Sequence, residues 1–162
     1  MTTSVGALVV YGSQWGNTEA VARAVAEALG PEARAARASH LASEALVGLD
    51  LLVVGSPTQG GRPLPAVAKL LADLDHDSLS GVRVAAFDTR LDARDRGVAL
   101  RVLMRTIGYA APKLAKALTA KGGRLQAPPA GFFVEGKKGP LRPGERARAA
   151  AWAGALRAVA QS

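Results

Sequence analysis

Short apolar runs alternate with amphipathic stretches along the chain. The runs are rich in Val, Leu, Phe and Ala and are followed by glycine or polar residues, which is typical of strands buried on both faces. A weaker, alanine-rich candidate lies between the first two strong runs. The predicted strands are Val5–Tyr11, Ala33–Ser39, Leu49–Val54, Val82–Phe87 and Gly131–Val134, the last one preceded by an extended segment at Arg124–Ala127.

The stretches between these runs carry apolar residues at three- and four-residue spacing, which predicts helices. The first helix starts at Thr18 and stops at the Gly30-Pro31 pair. The stretch from Asp92 to Lys121 is too long for one loop and one helix, and Gly108 and Pro112 divide it into two. The later predicted helices are Leu64–Leu74, Val98–Ile107, Lys113–Lys121 and Pro143–Val159.

Strands that alternate with helices predict an α/β fold, in which a parallel sheet is covered by helices on both faces. The length of 162 residues and the hydrophobic fraction of 49% support one domain, residues 1–162. In open sheets of this kind, ligands bind outside the carboxyl ends of the strands, where the strand order reverses. The candidate chemistry should therefore lie in the loops that follow the strands.

The residue types exclude several classes of site. Cysteine is absent, which excludes disulfides, thiolate metal sites, iron–sulfur clusters and cysteine nucleophiles. His40 and His76 are far apart in sequence, and we expect both at the surface rather than at a metal. No apolar run approaches the roughly 20 residues of a membrane span, and Met1–Val10 lacks the basic start of a signal peptide. A cytoplasmic protein without a membrane span is expected.

Two loops carry candidate chemistry. Residues 12–18 join a strand to a helix, and their backbone N–H groups would suit a phosphate, with Ser13, Asn17 and Thr18 as further donors. The alternative is an ordinary turn in which Asn17 or Thr18 caps the helix. Neither GxGxxG nor GxxxxGK[ST] is present, which disfavours a dinucleotide or P-loop site. Residues 55–63 combine hydroxyls with paired glycines, so a flat ring could lie against exposed backbone.

The segment VVYGSQWGNTEAVARAVAEAL resembles the phosphate-binding loop and first helix of the flavodoxin family, whose motif [TS]-x-T-G-x-T is matched by Ser13, Gly16 and Thr18. The segments LLVVGSPTQGGRPLP and AAFDTRL are similar to the two loops that hold the flavin ring in that family. The resemblance implies an open five-stranded parallel sheet in the order 2-1-3-4-5 with flavin mononucleotide (FMN) at the strand ends. The implied cofactor-binding residues are Ser13, Gln14, Trp15, Gly16, Asn17 and Thr18 for the phosphate, and Pro57, Thr58, Gln59, Gly60, Gly61, Asp88, Thr89, Arg90 and Leu91 for the ring.

The chain departs from the family pattern at the aromatic positions. Trp15 stands where the motif has threonine, so one phosphate-binding hydroxyl is lost while the backbone amide remains. Flavodoxins usually hold the ring between aromatic side chains, and neither ring loop clearly supplies one. Trp15, Leu91 or Tyr109 could flank the ring, with core packing preferred for Tyr109. Phe87 is expected to end a buried strand.

Arginines cluster near the predicted ring site, at positions 62, 90, 94 and 96. Arg62 and Arg90 have two interpretations of equal weight. Either they pair with Asp88 or Asp92, or they place a fixed cation that stabilises the anionic reduced flavin. The helix Val98–Ile107, part of an insertion at residues 92–109, is interpreted first as core-packed with a solvated basic edge, and second as a lid or an oligomer contact.

The charge is unevenly distributed. The 21 Lys and Arg residues against 13 Asp and Glu give a net charge of +8, yet residues 1–89 hold 6 basic and 9 acidic side chains and residues 90–162 hold 15 and 4. A pI near 10.6 makes nucleic-acid binding a candidate function, because nucleic-acid-binding domains are often strongly basic. That class is disfavoured because aromatic platforms and a groove-reading motif are missing. The basic half predicts docking of an acidic redox partner or an anionic substrate, with compositional arginine bias as the alternative.

These patterns favour an FMN-binding redox protein that exchanges electrons with a partner protein or a small-molecule acceptor. One alternative is an FMN-dependent quinone or NAD(P)H-linked reductase, which would suit the weak aromatic sandwich and the extra helix. Another is a binding or regulatory module of the same fold that holds flavin weakly or not at all. The residue pattern assigns no catalytic residue and no metal ligand, and it leaves the oligomeric state and the partner open.

Overall fold

The computed structural model describes residues 6–160, so Val5 of the first predicted strand lies outside the described residues. Within this range strands and helices alternate as predicted. No helix between residues 6 and 160 has the length and apolarity that crossing a membrane requires. The elements are β1 (Ala7–Tyr11), α1 (Asn17–Leu29), β2 (Arg34–Arg37), β3 (Leu51–Pro57), α2 (Pro65–Ala72), β4 (Arg83–Leu91), α3 (Val98–Ile107), α4 (Ala110–Ala120), β5 (Arg124–Leu125), β6 (Ala130–Val134) and α5 (Glu145–Ala160).

The strands form one parallel sheet in the order β2-β1-β3-β4-β5, and β6 also pairs with β4. β5 pairs with Arg83 and Val84 at the start of β4, whereas β6 pairs with the segment from Phe87 to Leu91. Since β3 occupies the other side of β4, β5 and β6 share the fifth place in the sheet. The predicted α/β fold and strand order are therefore confirmed, with the fifth strand interrupted.

The core lies in two apolar layers, one on each face of the sheet. Successive side chains of a strand point to opposite faces, so Val9 of β1 packs in the layer under α1 and α5, while Leu8 packs in the layer under α2 and α4. Both side chains are buried. This covering of both faces explains why the strands are continuous apolar runs rather than alternating ones.

Strands β3 and β4 extend beyond their apolar runs. Residues 55–57 and the segment Asp88–Leu91, predicted as loops, belong to strands. The physical reason is pairing on both sides of β4, where Ser56 and Pro57 lie opposite Asp88 and Thr89 while β6 pairs with the other edge. The polar ends of these strands are thereby fixed in place at the edge where ligands bind.

Helix α3 has the predicted bounds, but its surroundings differ from the prediction. None of its residues is buried, and Val98, Val102 and Leu103 are 69%, 56% and 51% exposed. The interpretation of α3 as a core-packed helix is therefore wrong. Its apolar face borders a cavity and solvent instead.

Gly55 of β3 lies against the ring of Phe87, so we expect Gly55→Ala to lower the free energy of unfolding by about 2–3 kcal/mol. A Cβ atom at residue 55 would lie 2.0 Å from Cζ of Phe87. That ring cannot move freely, because it is fully buried and makes edge contacts with Phe132 and Trp152 at 6.0 Å between ring centroids. Urea unfolding measures the loss.

The matched control for this substitution is Gly154→Ala in α5, where an added Cβ has nothing within 4 Å. A helical glycine with open space around it should gain about 0.5–1 kcal/mol of stability on becoming alanine. If Gly55→Ala left the urea midpoint unchanged or raised it, as Gly154→Ala should, the tight packing of β3 on Phe87 would be refuted.

Candidate functional site

A cavity of about 460 Å³ lies at the carboxyl ends of the parallel strands. Its walls come from the loop after β1, the ends of β3 and β4, and the segment after β6. Val134 and Lys137 line it without having been predicted. The predicted residues that the structure brings together around it are Ser13, Gln14, Trp15, Asn17, Thr18, Pro57, Thr58, Gln59, Gly60, Thr89, Arg90 and Leu91.

Three predicted site residues do not line this cavity, namely Gly16, Gly61 and Asp88. Gly16 is the residue before α1 and has a left-handed φ of 92°, which favours glycine. Gly61 faces α3 instead, since a Cβ there would lie 2.0 Å from Cγ2 of Ile107. Asp88 is fully buried. Gly16 is required for the left-handed turn before α1, Gly61 is required for close packing on α3, and Asp88 has a structural role.

The buried carboxylate of Asp88 joins a strand to a helix. It accepts two hydrogen bonds from Arg90, at 2.7 Å from Nε and 2.8 Å from Nη2, and a third from the backbone N–H of Ala111 at 2.9 Å. Beside it, the hydroxyl of Thr58 accepts from the N–H of Ala110 at 2.9 Å. These two acceptors cap the N-terminus of α4, which explains why α4 begins at Ala110 rather than at the predicted Lys113.

The N-terminus of α1 has no side-chain cap, so the predicted alternative in which Asn17 or Thr18 caps this helix is wrong. The hydroxyl of Ser13 accepts from the N–H of Gly16 at 3.0 Å and shapes the turn. The hydroxyl of Thr18 is buried and bonds to the hydroxyl of Thr89 at 2.7 Å. An uncapped first turn leaves backbone donors and the positive end of the helix dipole at the cavity, an arrangement that suits an anion.

The charges around the cavity favour an anion as well. Among residues 6–160, no Asp or Glu lines it, whereas Arg90 and Lys137 do. The segment after β6 folds over the loop after β1, with the Lys138 ammonium 5.0 Å from the centroid of the Trp15 ring. Val134 ends the last strand and Lys137 follows it, so the sequence signal for these two residues is their place at the edge of the sheet where ligands bind.

The side chains proposed to flank a ring have different positions. Trp15 and Leu91 line the cavity, and Trp15 is 43% exposed. Tyr109 does not line it and packs on Arg90, whose guanidinium carbon lies 3.7 Å from the centroid of the Tyr109 ring. Arg90 pairs with Asp88, which confirms the first of its two interpretations, and it also borders the cavity. Arg62 is exposed and lines neither this cavity nor the one beside α3.

Ion pairs stabilise the segment that leads into α3. Asp92 is 5% exposed and accepts hydrogen bonds from Arg94. It also accepts a hydrogen bond at 2.8 Å from Arg142, a residue 50 positions further along the chain. These guanidinium groups hold the pKa of the Asp92 carboxyl far below its usual range. Arg142 also binds Asp95 at 2.6 Å. The start of the insertion is therefore anchored to the segment before α5.

A second pair of this kind lies at the start of α5. The carboxylate of Glu145 accepts from Arg148 at 2.9 and 2.6 Å and from the backbone N–H of Phe133 at 2.7 Å. The Arg148 guanidinium, together with this N–H, lowers the pKa of Glu145. The pair connects α5 to β6 near the cavity.

We expect the free energy of unfolding to fall steadily as the pH drops below about 5. Asp92 and Glu145 both have a lowered pKa in the folded protein. Their pairs therefore stabilise the fold above the unfolded pKa, about 4 for these groups, and this contribution is lost as the pH falls through the folded values. Urea unfolding at pH 7, 5 and 3.5 measures the slope. Glu145→Gln should make it shallower, and an unchanged slope would contradict this assignment.

Comparisons with known proteins agree with this fold. Residues 8–135 match the family described as "Flavodoxin domain". The fold is similar to oxidised Flavodoxin 2 from Bacillus cereus, with a TM-score of 0.71 and 21% identity over 93% of this chain and 96% of that chain. It is also similar to the flavodoxin WrbA-like protein from Agrobacterium tumefaciens, with a TM-score of 0.69 and 20% identity over 97% and 98% of the two chains.

A larger protein contains the same fold. Rubredoxin oxygen:oxidoreductase from Desulfovibrio gigas gives a TM-score of 0.71 and 21% identity over 95% of this chain, but over only 35% of its own chain. At these identities the solved structures show a shared fold. A search of curated proteins finds no significant match.

Proposed function

The chain belongs to the flavodoxin family, and on that premise we propose that it binds FMN in the cavity at the carboxyl ends of β1, β3 and β4. Proteins of this family bind FMN. The observation that carries the proposal is the uncapped N-terminus of α1 at a cavity with cationic but no acidic lining residues. The volume of about 460 Å³ falls in the roughly 300–1,000 Å³ range of small-molecule sites.

The residues around the cavity suit the two ends of this cofactor. The segment from Ser13 to Thr18 would hold the phosphate through backbone N–H groups and the Asn17 amide, with Lys137 as a nearby cation. The segments Pro57–Gly60 and Thr89–Leu91 would hold the ring. FMN supplies one- and two-electron redox chemistry when bound. The residues of the chain would bind the cofactor, orient it and surround it with charge.

Arg90 is the residue placed to act on the electrostatics of the ring. Its guanidinium is fixed between the Asp88 carboxylate and the Tyr109 ring, and the side chain is 18% exposed. A fixed cation beside the cavity favours an added negative charge there, although the Asp88 carboxylate offsets part of the effect. Lys137 adds a second cation without a carboxylate partner in the described part of the chain.

Titration of the flavin-free protein tests the proposal. We expect FMN to bind at one site per chain with quenching of its fluorescence, and riboflavin, which lacks the phosphate, to bind much more weakly. A protein that takes up no FMN would contradict the proposal. It would favour the alternative of a binding or regulatory module that has the same fold but holds no flavin.

We further propose that the protein exchanges electrons with an acidic partner. The excess of basic over acidic residues after position 89 supports this, because charge steering raises the rate at which oppositely charged proteins meet. The rate of electron transfer with an acidic redox protein should fall several-fold between 50 and 500 mM salt. A rate that does not change with salt would favour the alternative, in which the basic residues reflect only a compositional bias towards arginine. The cytoplasmic location stays a prediction.

A reductase of small molecules is the second candidate function. A second cavity, beside α3, adjoins the first and would give a small acceptor access to it. Oxidation of NAD(P)H by the FMN-loaded protein in the presence of a quinone tests this candidate. Turnover without any partner protein would favour the reductase over the electron carrier.

A further inference from the structure

The cavity beside α3 has an apolar wall and one unpaired cation. Its volume is about 270 Å³. Leu100, Leu103 and Ile107 contribute to the wall although they are 43%, 51% and 41% exposed, a degree of exposure that is unusual for adjacent large apolar side chains. Met104 and the ring of Tyr109 complete that wall. The space is smaller than a drug-sized site, and it suits a molecule of one or two aromatic rings.

Arg96 supplies the polar end of this cavity. Its Nε is buried, and within residues 6–160 its guanidinium makes no hydrogen bond and no ion pair. A buried donor without an acceptor is rare in folded proteins and calls for an explanation. In the part of the chain that the structure describes, no Asp or Glu lines the cavity, and the other cation in its wall, Arg90, is already paired with Asp88. The cavity therefore carries one positive charge that lacks a counter-ion.

The walls of the cavity are held together before any ligand arrives. The ammonium of Lys113 donates to the carbonyl of Gly61 and, at 3.1 Å, to the carbonyl of Ile107, which ties the loop after β3 to the end of α3. The cavity shares Thr58, Gly60, Arg90 and Leu91 with the first cavity. The two cavities therefore adjoin across a fixed wall.

We propose that this second cavity is a binding site for a small aromatic carboxylate. The rings occupy the apolar wall of α3, and the carboxylate accepts hydrogen bonds from the guanidinium of Arg96, whose planar fork matches a carboxylate. The site is separate from the one proposed for FMN and does not require FMN to be bound. A ligand there lies next to the proposed ring site.

Calorimetric titration with 2-naphthoate tests the proposal, with the neutral 2-naphthamide as the matched ligand. We expect 2-naphthoate to bind at one site per chain and the amide to bind at least about tenfold more weakly, because charge-assisted hydrogen bonds are the stronger ones. Arg96→Gln should lower the affinity for 2-naphthoate at least about tenfold. Arg105→Gln, which removes a cation of α3 that does not line the cavity, should leave it unchanged.

Equal binding of the two ligands, no binding, or equal losses in the two variants would overturn the proposal. Displacement of 2-naphthoate by one equivalent of FMN would overturn it too, since the ligand would then occupy the first cavity. FMN affinity is measured on the same samples and should be the same in Arg96→Gln and the unsubstituted protein. A protein that binds 2-naphthoate but no FMN would refute the proposed function and leave this site standing.

Discussion

Replacing Asn17 with Asp is expected to weaken FMN binding about 100-fold while riboflavin binding changes less than about twofold. Asn17 is the first residue of α1 and lines the cavity. The new carboxylate would face the phosphate, and two like charges about 4 Å apart in a partly dry site repel by roughly 1–4 kcal/mol. Titration of flavin fluorescence with both ligands measures the two affinities.

The control for this substitution is Asn17→Ala, which removes the amide without adding charge and should cost less than about tenfold in FMN affinity. Unfolding of α1 is not expected to confuse the result, because an acidic residue in the first turn stabilises a helix. Equal losses for FMN and riboflavin in Asn17→Asp would place the phosphate elsewhere and would refute the assignment of Ser13–Thr18.

Replacing Asp88 with Asn is expected to lower the free energy of unfolding by about 3 kcal/mol, because removing one partner of a buried ion pair leaves the other charge uncompensated. Asp88 is fully buried, and its carboxylate also accepts from the N–H of Ala111 at the start of α4. Urea unfolding, with its midpoint and slope, measures the loss. Asp73→Asn removes one partner of the exposed Lys69–Asp73 pair and should cost less than about 1 kcal/mol.

If Asp88→Asn lowered the free energy of unfolding no more than Asp73→Asn does, the carboxylate of Asp88 would not have the structural role that its contacts indicate. Loss of FMN affinity with unchanged stability would instead restore Asp88 as a residue that contacts the cofactor. The pair of measurements therefore distinguishes a structural role from a binding role for the same side chain.

Asp88 also marks the limit of what the sequence could predict. An aspartate after an apolar run is typical of a loop, so the strand was expected to end at Phe87. The strand continues to Leu91 because β3 and β6 pair with it on its two sides. Asp88 can be buried there because its carboxylate accepts hydrogen bonds from Arg90 and from the N–H of Ala111, which lies 23 residues further along the chain. Partners at such a distance leave no local signal.

Helix α3 shows a second limit of prediction from the sequence, since its bounds were predictable but its surroundings were not. Its bounds were predictable, because glycine follows it and apolar residues recur at helical spacing. Spacing identifies an apolar face but does not say what covers that face, and here the described part of the chain leaves it exposed. The covering of an element depends on the arrangement of the whole sheet.

Most of the cavity lining was predictable because the carboxyl ends of parallel strands meet at one edge. The loop after β1 and the ends of β3 and β4 each contribute residues expected from the sequence. Lys137 was missed because its position depends on the interrupted fifth strand and on the contact between Lys138 and Trp15.

A crystal structure of the protein with FMN would show directly whether the cofactor occupies the first cavity. We expect the phosphate against the backbone of residues 13–18 at the N-terminus of α1, and the ring between the ends of β3 and β4. FMN bound elsewhere on the chain, or bound with its phosphate away from residues 13–18, would contradict this expectation.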